Sequence, residues 1–398
     1  MLLRAYKYRL YPTKEQETAL AQHFGCVRWV YNWGLAKKTA AYQTESKSLS
    51  YFELKRELPV LKKNEATAWL GDVNSQSLQA SLEHLDKAYT RFFREKKGFP
   101  RFKSKRGKNS FSVPQRAKVS FEDGIIQLPN IGKVKAVLHR TFEGKVKTVT
   151  VSKTAAGKYF ASVLVETPEE IPPKAPLDKA TAVGIDVGLK DFATLSTGEK
   201  IANPKHLKKS IKRLKYLQYK HSKKAKGGKN REKARKRLAK KYEKVTNQRN
   251  NFLHKVSTRI VRENQTVCVE NLNIAGMMKN HNLAQAIADV SWSKFLLMLE
   301  YKCAWAGKNF IKIGRFEPSS KMCPCGKINN ALTLADRVWQ CECGIEHDRD
   351  ILAARNIKTF AFQKQNLIGQ ELPELTLGES ASTRGDVEPR SPRLKGVG

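Results

Sequence analysis

The 398-residue chain has no apolar run long enough to cross a bilayer, and its opening, MLLRAYKYRLYP, carries neither an apolar core nor a small-residue cleavage site. Neither a membrane-spanning nor a secreted protein is expected. Cysteine is scarce: seven residues, an odd number, four of them between positions 323 and 343. That distribution argues against a disulfide framework and for a metal site in a reducing compartment, the cytoplasm. Acid is what the chain lacks most. Thirty-seven Asp+Glu stand against 75 Lys+Arg, a formal charge of +38. Such an excess strains a compact fold by self-repulsion unless a polyanion neutralises it. DNA or RNA is the expected partner, because binding releases the counterions condensed on its phosphates. A merely soluble basic protein or a membrane-surface binder does not need this much charge over so long a chain.

A hydrophobic fraction of 40% is enough for a folded core. Residues 3–10 alternate as a strand, and from Thr13 to about Phe93 the pattern is helical, with Leu78, Leu82, Leu85 and Tyr89 along one face. This stretch carries many aromatics (Phe24, Trp29, Tyr31, Trp33, Phe92, Phe93), most of them suited to core packing and one or two to stacking on bases. Gly98-Phe99-Pro100-Arg101-Phe102 breaks the helix and leads into Lys103, Lys105, Arg106 and Lys108. Residues 110–166 predict short antiparallel strands forming a small barrel. The proline-rich 167–180 reads as a linker. Two strands over 181–196 come next. Two long helices over 205–263 are parted by Gly227-Gly228 and hold 23 Lys+Arg against Glu232, Glu243 and Glu263. Like charges along a helix destabilise it without a polyanion, so this hairpin is expected to contact nucleic acid, through residues such as Lys208, Lys212, Lys215 and Arg235. A strand at Thr266–Glu270, a helix at Ser291–Ala306, a strand at Phe310–Ile313 and a helix from Asp350 follow. Residues 369–398 read as a flexible tail.

Three acids stand where charge is expensive. Asp186 follows the apolar Ala182-Val183-Gly184-Ile185, Glu270 ends Val267-Cys268-Val269, and Asp350 opens a helix with Ile351, Leu352, Ala353 and Ile357 on its face. Taken singly, Asp186 could start a turn, Glu270 could pair with a lysine, and Asp350 could be a helix cap. As a triple from separate elements they would repel one another unless divalent cations lay between them. That is the donor set of two-metal phosphoryl chemistry: two Mg²⁺ ions held by Asp186, Glu270 and Asp350, one activating water and the other stabilising the leaving oxygen. A second constellation, Cys323-Pro-Cys325-Gly and Cys341-Glu-Cys343-Gly, predicts a structural four-cysteine Zn²⁺ site. Each pair is one residue shorter than the usual two-residue spacing, which leaves His347 as a possible substitute ligand.

Together these residues resemble the TnpB/OrfB family. Gly184-Ile185-Asp186-Val187-Gly188 with Leu189-Lys190-Asp191-Phe192-Ala193 is similar to its first RuvC motif, and Val269-Glu270-Asn271-Leu272 to the second. Pro318-Ser319-Ser320-Lys321 and His347-Asp348-Arg349-Asp350, with Ala353-Ala354 and Asn356-Ile357, resemble the zinc segment and third motif. Tyr31-Asn32, Phe92-Phe93 and Gly98–Phe102 match its N-terminal half, so the resemblance runs to about residue 365. The family pattern has Asn where this chain has Leu352. The resemblance implies a mixed α/β protein. A wedge-type β-barrel (1–10 and 106–170) holds a helical recognition lobe (11–105). After the linker (171–180), an RNase H-like (RuvC) nuclease domain (181–316 and 345–368) is interrupted by the zinc module (317–344). It implies Asp186, Glu270 and Asp350 as catalytic acids and Cys323, Cys325, Cys341 and Cys343 as zinc ligands. Arg101, Lys103, Lys105, Arg106, Lys208, Lys212, Lys215, Arg235 and Arg349 are the candidate nucleic-acid contacts. It further implies a guide RNA from the transposon end, cleavage of double-stranded target DNA beside a short adjacent motif, and a companion transposase encoded by the same element. A silent RNA-guided repressor would share the fold and charge but would have lost an acid. A strand-transferring transposase would need paired histidines, and the eight here are scattered.

Overall fold

The computed structural model describes residues 2–370 apart from Leu334, with side chains described to residue 363. The expected tail lies, from residue 371 onward, outside the described residues. The N-terminal strand β1 (Leu2–Tyr11) leads into α1 (Lys14–Glu45), α2 (Tyr51–Lys63), a 3-10 turn at Glu65–Asp72 and α3 (Ser75–Glu95). Thr13 starts α1 through a reciprocal capping box with Gln16, which satisfies two backbone donors the helix would otherwise leave bare. Gly34 on α1 lets α3 approach closely: a Cβ there would lie 2.9 Å from a methyl of Leu82.

Strands β2 (Asn109–Val113), β3 (Lys118–Ser120), β4 (Ile125–Leu128), β5 (Gly132–Val137), β6 (Lys145–Lys153) and β7 (Tyr159–Thr167) follow. They join β1 in one antiparallel sheet of order β2-β6-β7-β1-β5-β4-β3. Among the described residues no ladder joins β2 to β3, so the hydrogen bonding is that of an open sheet rather than of a closed barrel. Alternate residues of β7 (Tyr159, Ala161, Val163, Val165) are buried, and they share one core with Leu20, Val30, Leu78 and Leu82 of the helices.

A second sheet is built from β8 (Ala182–Val187), β9 (Asp191–Leu195) and β10 (Lys200–Ala202), then, after two helices, β11 (Thr266–Val269) and β12 (Asn309–Lys312). Its order is β10-β9-β8-β11-β12; β9 and β10 run as an antiparallel meander, whereas β8, β11 and β12 are parallel. The helices α4 (His206–Ser222) and α5 (Lys229–Glu263) form the hairpin between β10 and β11. Short helices α6 (Ile274–Met277) and α7 (His281–Val290), unannounced by the sequence pattern, precede α8 (Trp292–Trp305). Val183, Ile185, Val267 and Val269 face a core with Ile260 of α5 and Phe295 of α8. On the opposite face Ala182 and Cys268 pack against Ile357, Phe360 and Ala361 of α9 (Arg349–Gln370). The small ribbon of β13 (Val338–Gln340) and β14 (Glu346–Asp348) lies just before α9. No helix among the described residues is long and apolar enough to cross a membrane.

Candidate nuclease centre and nucleic-acid cleft

The alternation of a strand determines where Asp186 points. Val183 and Ile185 face α5 and α8, so Gly184 and Asp186 face α9. Strand β11 lies parallel to β8 with Val269 opposite Ile185, and one step further along each strand stand Glu270 and Asp186. Two carboxylates thus share a level at the carboxyl ends of adjacent parallel strands, the usual ligand-binding end of an open α/β sheet. The third arrives with α9. A Cβ on Gly184 would lie 2.0 Å from the Ala354 carbonyl oxygen and 2.9 Å from the Lys358 nitrogen, so only glycine admits the helix at this distance. Asp350 sits one turn before Ala354, on the end of the helix beside Asp186.

The electrostatics report the same gathering. Burial, then the charges of Glu270 and Asp350, push the Asp186 carboxyl up to about 7, against a smaller downward pull from Arg349. Asp350 is not the helix cap: Asp348 Oδ1 accepts the amide hydrogens of Asp350 and Ile351, each at 3.1 Å, and its Oδ2 meets Lys200 Nζ at 2.6 Å. The carboxylate of Asp350 is thereby left to the acid cluster and to Arg337, 3.6 Å away. Among the described residues Glu270 pairs with no lysine; it accepts a hydrogen bond from Ser319 Oγ at 2.7 Å. Ser319 is held in turn, since buried Asn356 on α9 donates to the carbonyls of Ser319 (2.7 Å) and Met322 (2.6 Å). Each member of this Asn356–Ser319–Glu270 chain stands in a motif visible in the sequence, but nothing in the sequence pattern linked the three.

The cysteine module is compact. Cys323 and Cys343 sulfurs lie 3.6 Å apart and those of Cys325 and Cys341 3.7 Å apart, and all four fall within 4.8 Å of one another. Four sulfurs each ~2.3 Å from one ion stand ~3.8 Å apart in a tetrahedron, so the donor set fits Zn²⁺. The short Cys-x-Cys spacing is accommodated by Gly326 and Gly344, with φ of 90° and 87°, which turn each chain back on itself. His347 Nε2 lies 3.1 Å from Cys323 Sγ, beside the four-sulfur set. Leu352, which replaces the family's Asn, is buried with Cys323, Leu332, Trp339 and Cys341: it forms the apolar floor of this module.

The basic residues divide by place. A cleft of about 1450 Å³ opens between β1, α1, the 105–109 segment, the β6–β7 turn and the α4–α5 hairpin. Eleven Lys and Arg side chains line it against Glu17 and Glu232 only. Lys105, Arg106 and Arg235 of the expected contacts are among them. Arg235 clamps Glu232 at 2.6 Å and donates to the Ala155 carbonyl, and Lys158 meets Glu243 at 2.8 Å, so the hairpin is pinned to the first sheet. Arg101 and, on α4, Lys208, Lys212 and Lys215 are exposed but do not line the cleft. Lys103 is engaged locally: its backbone pairs with the Asn32 side chain, its ammonium lies 3.6 Å from the centre of the Tyr31 ring, and desolvation lowers it to about 8. Arg349 donates to the carbonyls of Thr333 and Asp336, tying the zinc module to α9.

Comparison with known proteins agrees along the length of the chain. The family described as "Probable transposase" (the OrfB family of IS605-type elements) matches residues 162–281, a helix-turn-helix family matches 1–47, and a Cas12f1-like TNB domain matches 292–357. A Streptomyces pristinaespiralis protein named as a candidate RNA-guided DNA endonuclease is 44% identical over 89% of this chain and 88% of its own. An Escherichia coli K12 protein of the same description is 32% identical over 89% and 91%. A cryo-EM Cas12f1–sgRNA–target DNA complex aligns over 90% of this chain and 98% of that one, at a TM-score of 0.47 and 15% identity. That last likeness is too loose to bear on the site.

Proposed function

Because the chain belongs to the TnpB/OrfB family of insertion-sequence proteins, we propose that it is an RNA-guided DNA endonuclease whose cutting centre is Asp186, Glu270 and Asp350. The observation that carries the assignment is the shared level of Asp186 and Glu270 with α9 pressed onto Gly184, which sets three acids against one another. Such a cluster is disfavoured without a counter-ion and is suited to Mg²⁺, a hard cation that takes carboxylate oxygens. When bound, two Mg²⁺ ions would supply a nucleophilic hydroxide and a Lewis acid for the leaving 3′-oxygen. The chain's own part is to hold the ligands still. Ser319 fixes Glu270, Asp348 caps α9 so that Asp350 is free to ligate, and Asn356 locks the Ser319 segment to the same helix. The mixed sheet supports the RNase H-like reading of residues 181–316 and 345–368, and α1, α2 and α3 the helical-lobe reading of residues 11–105. The four-cysteine module takes Zn²⁺ in a structural role.

The cleft supplies the partners' site. Its cations suit the phosphates of a guide RNA and of target DNA, with base pairing rather than side chains reading sequence. Protein purified with its co-expressed RNA should cut a matched plasmid in the presence of Mg²⁺. The Asp186→Ala protein should bind the same RNA and DNA yet cut at least ~10³-fold more slowly, since several kcal/mol of charge stabilisation goes with the ligand. Undiminished cutting by that variant removes the assignment; matched binding by the wild type without cutting makes the chain a repressor.

A further inference from the structure

Helix α1 contains two glycines with opposite surroundings. Gly34 is required by packing, as Leu82 leaves no room for a methyl. Gly25 faces open space: a Cβ there would meet nothing within 4 Å. Glycine in mid-helix weakens the helix, and here no neighbouring side chain explains it. The open space belongs to a pocket of about 420 Å³, into which Trp29 and Trp69 present their rings at 5.5 Å and 79° to one another. Gln22, Arg28 and Asp72 supply polar groups around the rim, beside Asn32, which is held by the Lys103 backbone. Trp33 stacks behind Trp29, 6.4 Å away and within 8° of parallel, and Trp69 is tied by its Nε1–H to the Ala66 carbonyl, so neither wall is loose. Arg28 lines both this pocket and the large basic cleft.

We infer that this pocket is a seat for one unstacked nucleobase of the strand whose phosphates lie in the cleft, with Gly25 as its floor. The inference rests on the nucleic-acid reading of the cleft and adds a contact to the base itself. The size admits a base with its sugar, an aromatic wall offers a face to any base, and the amide, guanidinium and carboxylate groups at the rim can meet a base edge. A phosphate alone would have no use for two tryptophans, and the shared Arg28 gives the strand continuity from cleft to seat.

The test uses the full-length protein and short single-stranded RNA and DNA oligonucleotides, each compared with an abasic twin of equal charge. Wild type should bind the base-bearing strand roughly 10-fold or more tightly than its twin, the scale of base–aromatic stacking. Gly25→Leu fills the seat and should erase that difference, leave affinity for the abasic strand and its salt dependence unchanged, and raise the melting temperature by restoring helix propensity. Trp69→Ala should erase the difference without filling anything. Whether RNA or DNA shows the larger effect identifies the strand that occupies the seat. If both variants keep the wild-type preference for bases, the seat is refuted. If neither oligonucleotide nor its twin binds, the nucleic-acid reading of the cleft falls, and the seat with it.

Discussion

The acidic centre and the basic cleft are opposites in sign and also in construction. The centre uses three side chains, each fixed by an element end: a strand terminus, the residue after its parallel neighbour, and the first turn of a helix held off by nothing larger than glycine. The cleft uses eleven cations from five segments, most of them on long, solvent-exposed side chains. A centre of the first kind fails through one displaced atom. A surface of the second kind loses affinity by increments, because each phosphate contact adds its share of counterion release.

The contrast is sharpest at Gly184. Gly184→Ala drives a methyl into the α9 backbone, so cutting should fall about 100-fold, as for a catalytic group misplaced by ~1 Å, with stability lowered by ~1–3 kcal/mol. Single-turnover cleavage and thermal melting of the RNA-loaded protein check this; an unchanged rate would mean that α9 does not set the centre. Ser319→Ala removes the donor to Glu270 and should weaken apparent Mg²⁺ affinity about 10-fold, read from the Mg²⁺ dependence of the rate. On the other side of the comparison, Lys105→Gln with Arg106→Gln should weaken DNA binding only several-fold. The slope of log affinity against log salt should drop by about 2, with the cutting rate at saturation unchanged. A collapse of cutting at saturation would show that the two regions are not separable.

The smallest effect is one of pH. The carboxyl of Asp186 is raised to about 7 in the folded chain, so the native state holds a proton that the unfolded state releases near 4. Metal-free protein should therefore lose stability as pH rises from about 4 to about 7, and Mg²⁺ should restore it by taking the proton's place. Denaturant melts with and without Mg²⁺, beside Asp186→Asn, provide the check; a flat metal-free profile would show that burial and the neighbouring acids do not raise the Asp186 carboxyl.

How much of this the chain announced depends on the range of the interactions. Asp186 and Glu270 were legible because a carboxylate closing an apolar strand is rare without a ligand, and the parallel register then placed them side by side. Leu352 was legible as a departure but not as what it is. Its partners Cys323 and Trp339 lie elsewhere in sequence, and only folding shows it as the floor of the cysteine module. Arg349 and Lys103 read as phosphate contacts from charge alone, whereas the folded chain engages one with loop carbonyls and the other with Tyr31. The single turn α6 and the edge strand β10 carry too few residues for a period to be seen, whereas the ten-residue α7, with Ile287 and Val290 on its buried face, was simply missed. Gly25 looked like any other glycine until the space above it was visible.

The first turns of α9 adjoin both proposed metal sites. Asp350 reaches toward the acids while Leu352, two residues on, lies under the sulfurs. Loss of a metal from the cysteine module would let that floor slacken and tilt the aspartate with it. The blade would then blunt before the grip on nucleic acid failed, leaving a bound but harmless complex on its target.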